Sequence, residues 1–253
     1  MVPRSRPDRP RRLGVYRVVV GLLDLVLGCF ARRDYRIGPV PAHGPLLVAP
    51  NHVSAIDPIA VAMSLRRAGR TPRFVITAGV MAHPVLGPVL RYFDHITLDR
   101  GRPTDPRLLL PVRAALARGE CVVLYPEGAI TQDERYRPAR ALPGLGRLAS
   151  DTGAPVLPVA QWGAQHVIGR GRLAWQHWPP RRATIRVRAA PLRYADPWLG
   201  ALDARRFVNA VMATLGAEVE LLASELPGRE RAVSDRWPAR PARPARRRRP
   251  WGG

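Results

Sequence analysis

Past Gly38 the chain repeatedly sets a short apolar run before a longer amphipathic stretch, and this alternation constrains the fold more than any other feature. Apolar runs at 46–49, 74–77, 95–98, 121–125, 156–160 and 184–189 are each bounded by Pro, Gly or charged residues, as strands are. Helical periodicity falls at 58–67, 106–117, 145–152 and 202–226. Connections of that length carry crossover helices, so the pattern predicts an α/β fold whose central sheet is mainly parallel and flanked by helices. In such sheets ligands collect beyond the carboxyl ends of the strands. At 253 residues and 46% hydrophobic content, the chain has material for a substantial core.

Residues 13–30 form a separate apolar stretch with helical periodicity. Gly14, Arg17, Gly21, Asp24 and Gly28 recur at alternating spacings of three and four, which places them on one narrow face with Val, Leu, Tyr and Phe over the rest. A bilayer span needs about 20 predominantly apolar residues, and Arg17 and Asp24 interrupt this stretch. The expectation is therefore an amphipathic helix lying at a membrane interface, with packing on the protein's own core as the competing arrangement. No small-residue cleavage site follows it, so it does not read as a cleavable signal. Cys29 and Cys121 both read as buried, reduced thiols. The expected organisation is a basic N-terminus and membrane-associating helix over 1–37, a catalytic domain over 38–227, and a Pro- and Arg-rich disordered tail over 228–253.

The formal charge is +22, and every basic residue is an arginine. A chain this basic calls for a polyanionic partner: nucleic acid, a phosphorylated substrate or an anionic membrane surface. Nucleic acid is disfavoured, because there is no zinc-ligand spacing, no recognisable basic helix and no aromatic-rich basic strand. Trp162, Trp175, Trp178 and Trp198 stand among aliphatic residues and read as core or interface anchors.

Asn51-His52-Val53-Ser54-Ala55-Ile56-Asp57-Pro58 follows the first apolar run directly. One reading makes Asp57 the N-cap of the helix that Pro58 begins, with His52 a polar loop residue. The other folds the turn back so that the carboxylate reaches the imidazole, fixes its tautomer and leaves the second nitrogen to accept a proton from a substrate hydroxyl. A metal site is disfavoured for want of a third ligand at suitable spacing. Two further clusters end apolar runs, Tyr125-Pro126-Glu127-Gly128 and Asp99-Arg100-Gly101-Arg102. With His52 they suit an alcohol that carries a phosphate: a base, an arginine fork and a glycine that admits close backbone approach.

Asn51-His52-x4-Asp57, Ile96-Thr97-Leu98-Asp99-Arg100, Tyr125-Pro126-Glu127-Gly128 and Val156-Leu157-Pro158-Val159-Ala160 follow the order and rough spacing of four motif blocks. In this the chain resembles the 1-acylglycerol-3-phosphate acyltransferase (lysophosphatidate acyltransferase) family of glycerolipid acyltransferases, over roughly residues 38–190. The resemblance implies transfer of a fatty acyl group from acyl-CoA or acyl-ACP to the free hydroxyl of a lysophospholipid, giving phosphatidic acid from 1-acyl-sn-glycerol-3-phosphate. It implies His52 as general base and Asp57 as its orienting partner, with Asn51, Arg100, Glu127, Gly128 and Pro158 forming the substrate-binding set. No cofactor or metal is expected beyond the thioester co-substrate. The expected partners are the two substrates, an anionic membrane surface and, where the donor is carrier-bound, acyl carrier protein. The expected location is the cytoplasmic face of the cell membrane, peripheral or monotopic. The chain departs from the pattern at Ala129 and Ile130, where the family usually has threonine and often arginine, and at Leu142 and Pro143, where basic residues are common. Three alternatives stay open: another lysolipid acceptor, lipid binding without turnover, or a basic nucleic-acid-binding protein. A route through acylated Ser54 is a further chemical possibility.

Overall fold

The computed structural model describes residues 9–99, 106–169, 172–173, 183–196 and 201–225. Its first element is α1 (Arg9–Phe30), which runs into the edge strand β1 (Ala31–Arg36). Then come β2 (Leu46–Pro50), α2 (Asp57–Arg67), β3 (Pro72–Thr77), α3 (Ala78–Met81), α4 (Leu86–Tyr92) and β4 (Ile96–Leu98). A 3₁₀ turn at Pro106–Leu109 leads into α5 (Leu110–Ala117), followed by β5 (Cys121–Val123), α6 (Gly144–Thr152) and β6 (Val156–Trp162). The short pair β7 (Ile168–Gly169) and β8 (Arg172–Leu173) precedes β9 (Ala183–Ala189) and α7 (Ala201–Ser224).

Seven strands form one sheet in the order β1-β9-β6-β2-β5-β3-β4. Strands β6, β2, β5, β3 and β4 run parallel to one another, and β9 joins β6 antiparallel. The mainly parallel sheet predicted from the alternation is therefore present. All six anticipated strands form, with ends shifted by up to two residues. Successive side chains of β2 enter opposite cores: Leu46 and Val48 pack with α1 and α2, Leu47 and Ala49 with α5, α6 and α7. A strand covered on both faces reads as an unbroken apolar run, which is why Leu-Leu-Val-Ala could be recognised.

Three features differ from expectation. β1 is absent from the predicted elements because Ala-Arg-Arg-Asp-Tyr-Arg has no apolar run, and the strand forms at the sheet edge by pairing with β9. The segment 78–92 folds into α3 and α4, too short and too rich in Gly and Pro to show helical periodicity. Cys29 is exposed on α1, not buried. Cys121 is buried as expected, and burial pushes its thiol up to about 12.

α1 lies against the body through Tyr16, Val20, Asp24 and Leu27, one stripe at helical spacing. Asp24 is buried, and the charge is met by Arg33 (2.7 Å) and by the Tyr35 hydroxyl (3.0 Å). Val18, Leu22, Leu25 and Val26 on the other side are exposed. The helix thus shows the core-packed face of the competing arrangement, together with an exposed apolar outer face. Among the described residues, Arg12–Phe30 and Leu202–Ser224 are long and apolar enough to cross a membrane by length and composition. The second buries Val208, Val211, Leu215, Val219 and Leu222 in the two cores. The tail from residue 226 onward, with Trp175, Trp178 and Trp198, lies outside the described residues.

Tyr16 also makes edge contacts with Phe93 (5.1 Å) and His95 (6.0 Å). Burial, aided by nearby Arg73, lowers the His95 imidazole from 6.5 to about 4. A depressed folded pKa means that the stability His95 contributes is complete above pH 6.5 and is lost as pH falls toward 4. The loss over that window should be about 2 kcal/mol, since the ring keeps some exposure. His95→Asn retains an acceptor for the Phe74 N–H (3.2 Å in the native chain) but cannot titrate. Thermal melting of this variant should show a shallower decline between pH 6.5 and 4, and an unchanged slope would place the acid sensitivity elsewhere.

Candidate active site

Because β2, β5 and β6 are parallel, the residues leaving them emerge on one edge of the sheet: Asn51 and His52 after β2, Tyr125 to Gly128 after β5, Gln161 at the end of β6. The turn after Pro50 folds back on itself. His52 Nδ1 lies 2.9 Å from Asp57 Oδ2. The same oxygen accepts the N–H groups of Val53 (2.6 Å) and Ser54 (2.8 Å). Asp57 is fully buried at the start of α2, whereas the His52 side chain is 17% exposed. The imidazole therefore has Nδ1 committed and Nε2 free for a substrate.

The N-cap arrangement for Asp57 is not observed. The cap position is Ile56, no side chain caps the helix, and the Asp57 carboxylate points back at the preceding turn. Pro58 does sit in the first turn, where its missing donor costs nothing. Burial pushes the Asp57 carboxyl upward, while the imidazole and the two amide donors pull it back. A carboxylate held by three donors suits one purpose in particular, keeping an imidazole in a fixed tautomer.

The histidine is braced from its other sides. Its ring stacks on Tyr125 at 4.2 Å and 29°. Its backbone N–H donates to Glu127 Oε1 (3.0 Å), and its carbonyl accepts from Thr131 N–H (2.8 Å). Glu127 Oε2 accepts from Ala139 N–H (2.7 Å), so one carboxylate joins the His52 loop to the segment after Gly128. Burial raises the Glu127 carboxyl, with the Ala139 and His52 amides opposing the shift. Gly128 adopts φ +73°, a left-handed turn that glycine accepts without strain, and this swings the chain away after Glu127. Both Glu127 carboxylate oxygens are thus engaged by backbone donors.

Asn51 carries no exposed surface. Its side chain exchanges hydrogen bonds with the main chain of Gln161, accepting at 2.7 Å and donating at 3.1 Å. Gln161 returns a bond from its amide to the Asn51 carbonyl (2.8 Å). Pro158 lies inside β6, paired with Ala49 and buried. Ser54 is buried, with its hydroxyl donating to the Ile168 carbonyl (2.6 Å) and accepting from Ile56 N–H (3.3 Å). These bonds account for Ser54 as a turn residue and leave it poorly placed as a nucleophile.

Arg100 lies outside the described residues. Arg135, Arg137, Arg140 and Arg147 are exposed beyond the Glu127 turn. Among the described residues no group of three His, Cys, Asp or Glu side chains comes together as a metal site would require. A cavity of about 450 Å³ opens at the opposite edge of the sheet, where Arg70 is committed to the Pro41 and Gly44 carbonyls (2.6 Å each) and Arg73 and Arg118 to Glu120. Sequence reasoning missed Gln161 and Thr131 as parts of this site. Gln161 had a signal, a polar residue ending an apolar strand run, but nothing local pointed to its partner 110 positions away.

The family model described as Acyltransferase matches residues 33–162, just over half of the chain. The chain belongs to the Acyltransferase family. This acyltransferase is also similar to a solved structure, the 1-acyl-sn-glycerophosphate (LPA) acyltransferase PlsC from Thermotoga maritima. The TM-score is 0.66 at 20% identity, over 88% of this chain and 86% of that one, a likeness of fold. The matched span contains His52, Asp57, Glu127, Gly128 and Gln161, the residues that converge at the sheet edge of this acyltransferase.

Proposed function

We propose that this acyltransferase moves a fatty acyl group from an acyl-CoA or acyl-ACP thioester to the free hydroxyl of a lysophospholipid, with 1-acyl-sn-glycerol-3-phosphate as acceptor and phosphatidic acid as product. The observation that carries the reading is the buried Asp57 carboxylate 2.9 Å from His52 Nδ1, at the carboxyl edge of a parallel sheet. His52 Nε2 takes the hydroxyl proton as the acceptor oxygen attacks the thioester carbonyl. Asp57 holds the imidazole and offsets its positive charge. The tetrahedral intermediate collapses by breaking the carbon–sulfur bond, and the proton passes from His52 to the departing thiolate. A thioester is already activated, so alignment and one proton transfer suffice, and no metal or resident cofactor enters. The acceptor's phosphate is assigned to arginines, Arg100 first and Arg135, Arg137, Arg140 and Arg147 in addition, with Asn51, Glu127, Gly128 and Pro158 as the other members of the substrate-binding set.

The missing threonine and arginine at Ala129 and Ile130 favour a second form of the reading, in which the same chemistry serves a lysolipid with a different headgroup. A panel of lysophospholipids offered with labelled acyl thioesters, with products identified by mass, separates the two. Thioester consumption without any acylated lipid would overturn both. Domain limits of 38–227 for the catalytic unit and a site on the cytoplasmic face of the membrane belong to the same proposal.

Glu127 is assigned a positioning task. It accepts two backbone N–H groups, and glutamine would turn an amide donor toward one of them. Glu127→Gln should lower kcat about 10- to 100-fold with KM for the thioester nearly constant. A large rise in the acceptor's KM alone would instead make Glu127 a substrate contact.

A further inference from the structure

Segment 78–92 has no counterpart among the motif residues, yet its surface is unusual. Val80, Val85, Leu86, Val89 and Tyr92 are all exposed, Val85 to 70%. They are displayed by a rigid device. Gly87 packs so closely on Met81 that an added Cβ would sit 2.2 Å from the Met81 carbonyl oxygen. Arg91 Nη1 donates to that same oxygen at 2.7 Å, which ties α4 back onto α3. At the tip, His83 Nδ1 faces the N–H groups of Val85 and Leu86, each at 3.3 Å. Large aliphatic side chains held out into solvent by tertiary contacts mark a surface that is covered in use.

The ridge meets α1 at the end of α4. Arg12 lies over the Tyr92 ring at 5.3 Å and bonds its carbonyl at 3.4 Å, while Tyr16 meets Phe93. The exposed aliphatic row Val18, Leu22, Leu25 and Val26 is carried by the same helix. The charge on this joint surface is mainly positive, and Asp94, at the junction, is paired with Arg12 at 3.6 Å. No acidic residue occurs from Pro72 to Phe93, and the only acid of α1, Asp24, is turned inward onto Arg33. Arg17 and Arg91 are exposed beside the aliphatic rows. An apolar strip edged mainly by cations matches a leaflet of anionic lipid, with side chains below the headgroups and guanidinium groups among the phosphates. The position fits as well: α3 starts at the carboxyl end of β3, the edge from which His52 projects.

We infer that the α3–α4 ridge, built around Val85 and Leu86, is a second membrane contact that joins the outer face of α1 in seating the active-site edge on an anionic phospholipid leaflet. This rests on the lipid-acceptor reading above, and the test separates the two. The full-length chain is sedimented with vesicles of phosphatidylglycerol and phosphatidylethanolamine at high salt, where the arginine contribution is screened and the apolar one remains. Val85→Ser with Leu86→Ser should lower the partition coefficient about tenfold or more, with thermal melting and turnover of a monodisperse short-chain lysolipid unchanged. Equal partition of wild type and variant overturns the inference, as does failure of the wild type to bind vesicles. So does a wild-type dimer by light scattering that the double variant abolishes, since the ridge would then cover a second copy. Ridge-dependent partition without lysolipid acylation leaves the membrane contact standing and refutes the acceptor reading.

Discussion

His52→Ala should lower turnover by about 10²- to 10⁴-fold, the usual loss when a general base is removed. The fold should survive. The His52 ring has one hydrogen bond and one stacking contact, and Asp57 Oδ2 keeps the Val53 and Ser54 amides when the imidazole is gone. A cost near 1 kcal/mol corresponds to a melting shift of about 2–4 °C in a chain of this size. Thioester consumption and thermal melting, measured on the same preparation, separate chemistry from stability. Turnover at the wild-type rate with an intact fold would remove His52 from the mechanism.

Asp57→Asn tests the other half of the dyad. Asp57 Oδ2 takes three donors at once, and an asparagine oxygen in that place can accept all three. What disappears is the negative charge that fixes the imidazole tautomer and faces the imidazolium, since an asparagine can also present its amide N–H to Nδ1. The loss should reach about 10⁴-fold in kcat, as for other carboxylates that orient a histidine base, with KM for the thioester changed only a few-fold. Asp57→Ala behaves differently, because it strands buried amide donors at about 1–3 kcal/mol each and should melt well below the asparagine variant. An asparagine variant that turns over like the wild type would reduce Asp57 to a structural element of the turn.

The legible parts of this fold were those where burial on both sheet faces writes an apolar run into the chain. Leu46 to Ala49, Val156 to Ala160 and Cys121 to Val123 are such runs, and each became a central strand. β1 was illegible because an edge strand with one buried residue, Ala31, carries no hydrophobic signature and forms only once β9 lies beside it. α3 and α4 were illegible because their helices are fixed by the Gly87 and Arg91 contacts to Met81 and not by periodicity. Cys29 read as buried because its neighbours are apolar, yet Leu25, Val26 and Phe30 near it are exposed and Cys29 shares their side of the helix.

In the site, the sequence by itself determined which residue types follow which strands: a histidine and an aspartate five apart after β2, and Pro-Glu-Gly after β5. It left open whether Asp57 served the helix or the histidine, since both readings satisfy local backbone chemistry. Only the tertiary structure decided that, because a carboxylate buried away from water must gather donors, and the turn supplied three on the side away from α2. The same reason separates Glu127 and Gln161 from any local reading. Their partners, His52, Ala139 and Asn51, come within reach only when the parallel strands bring distant segments of chain to one edge.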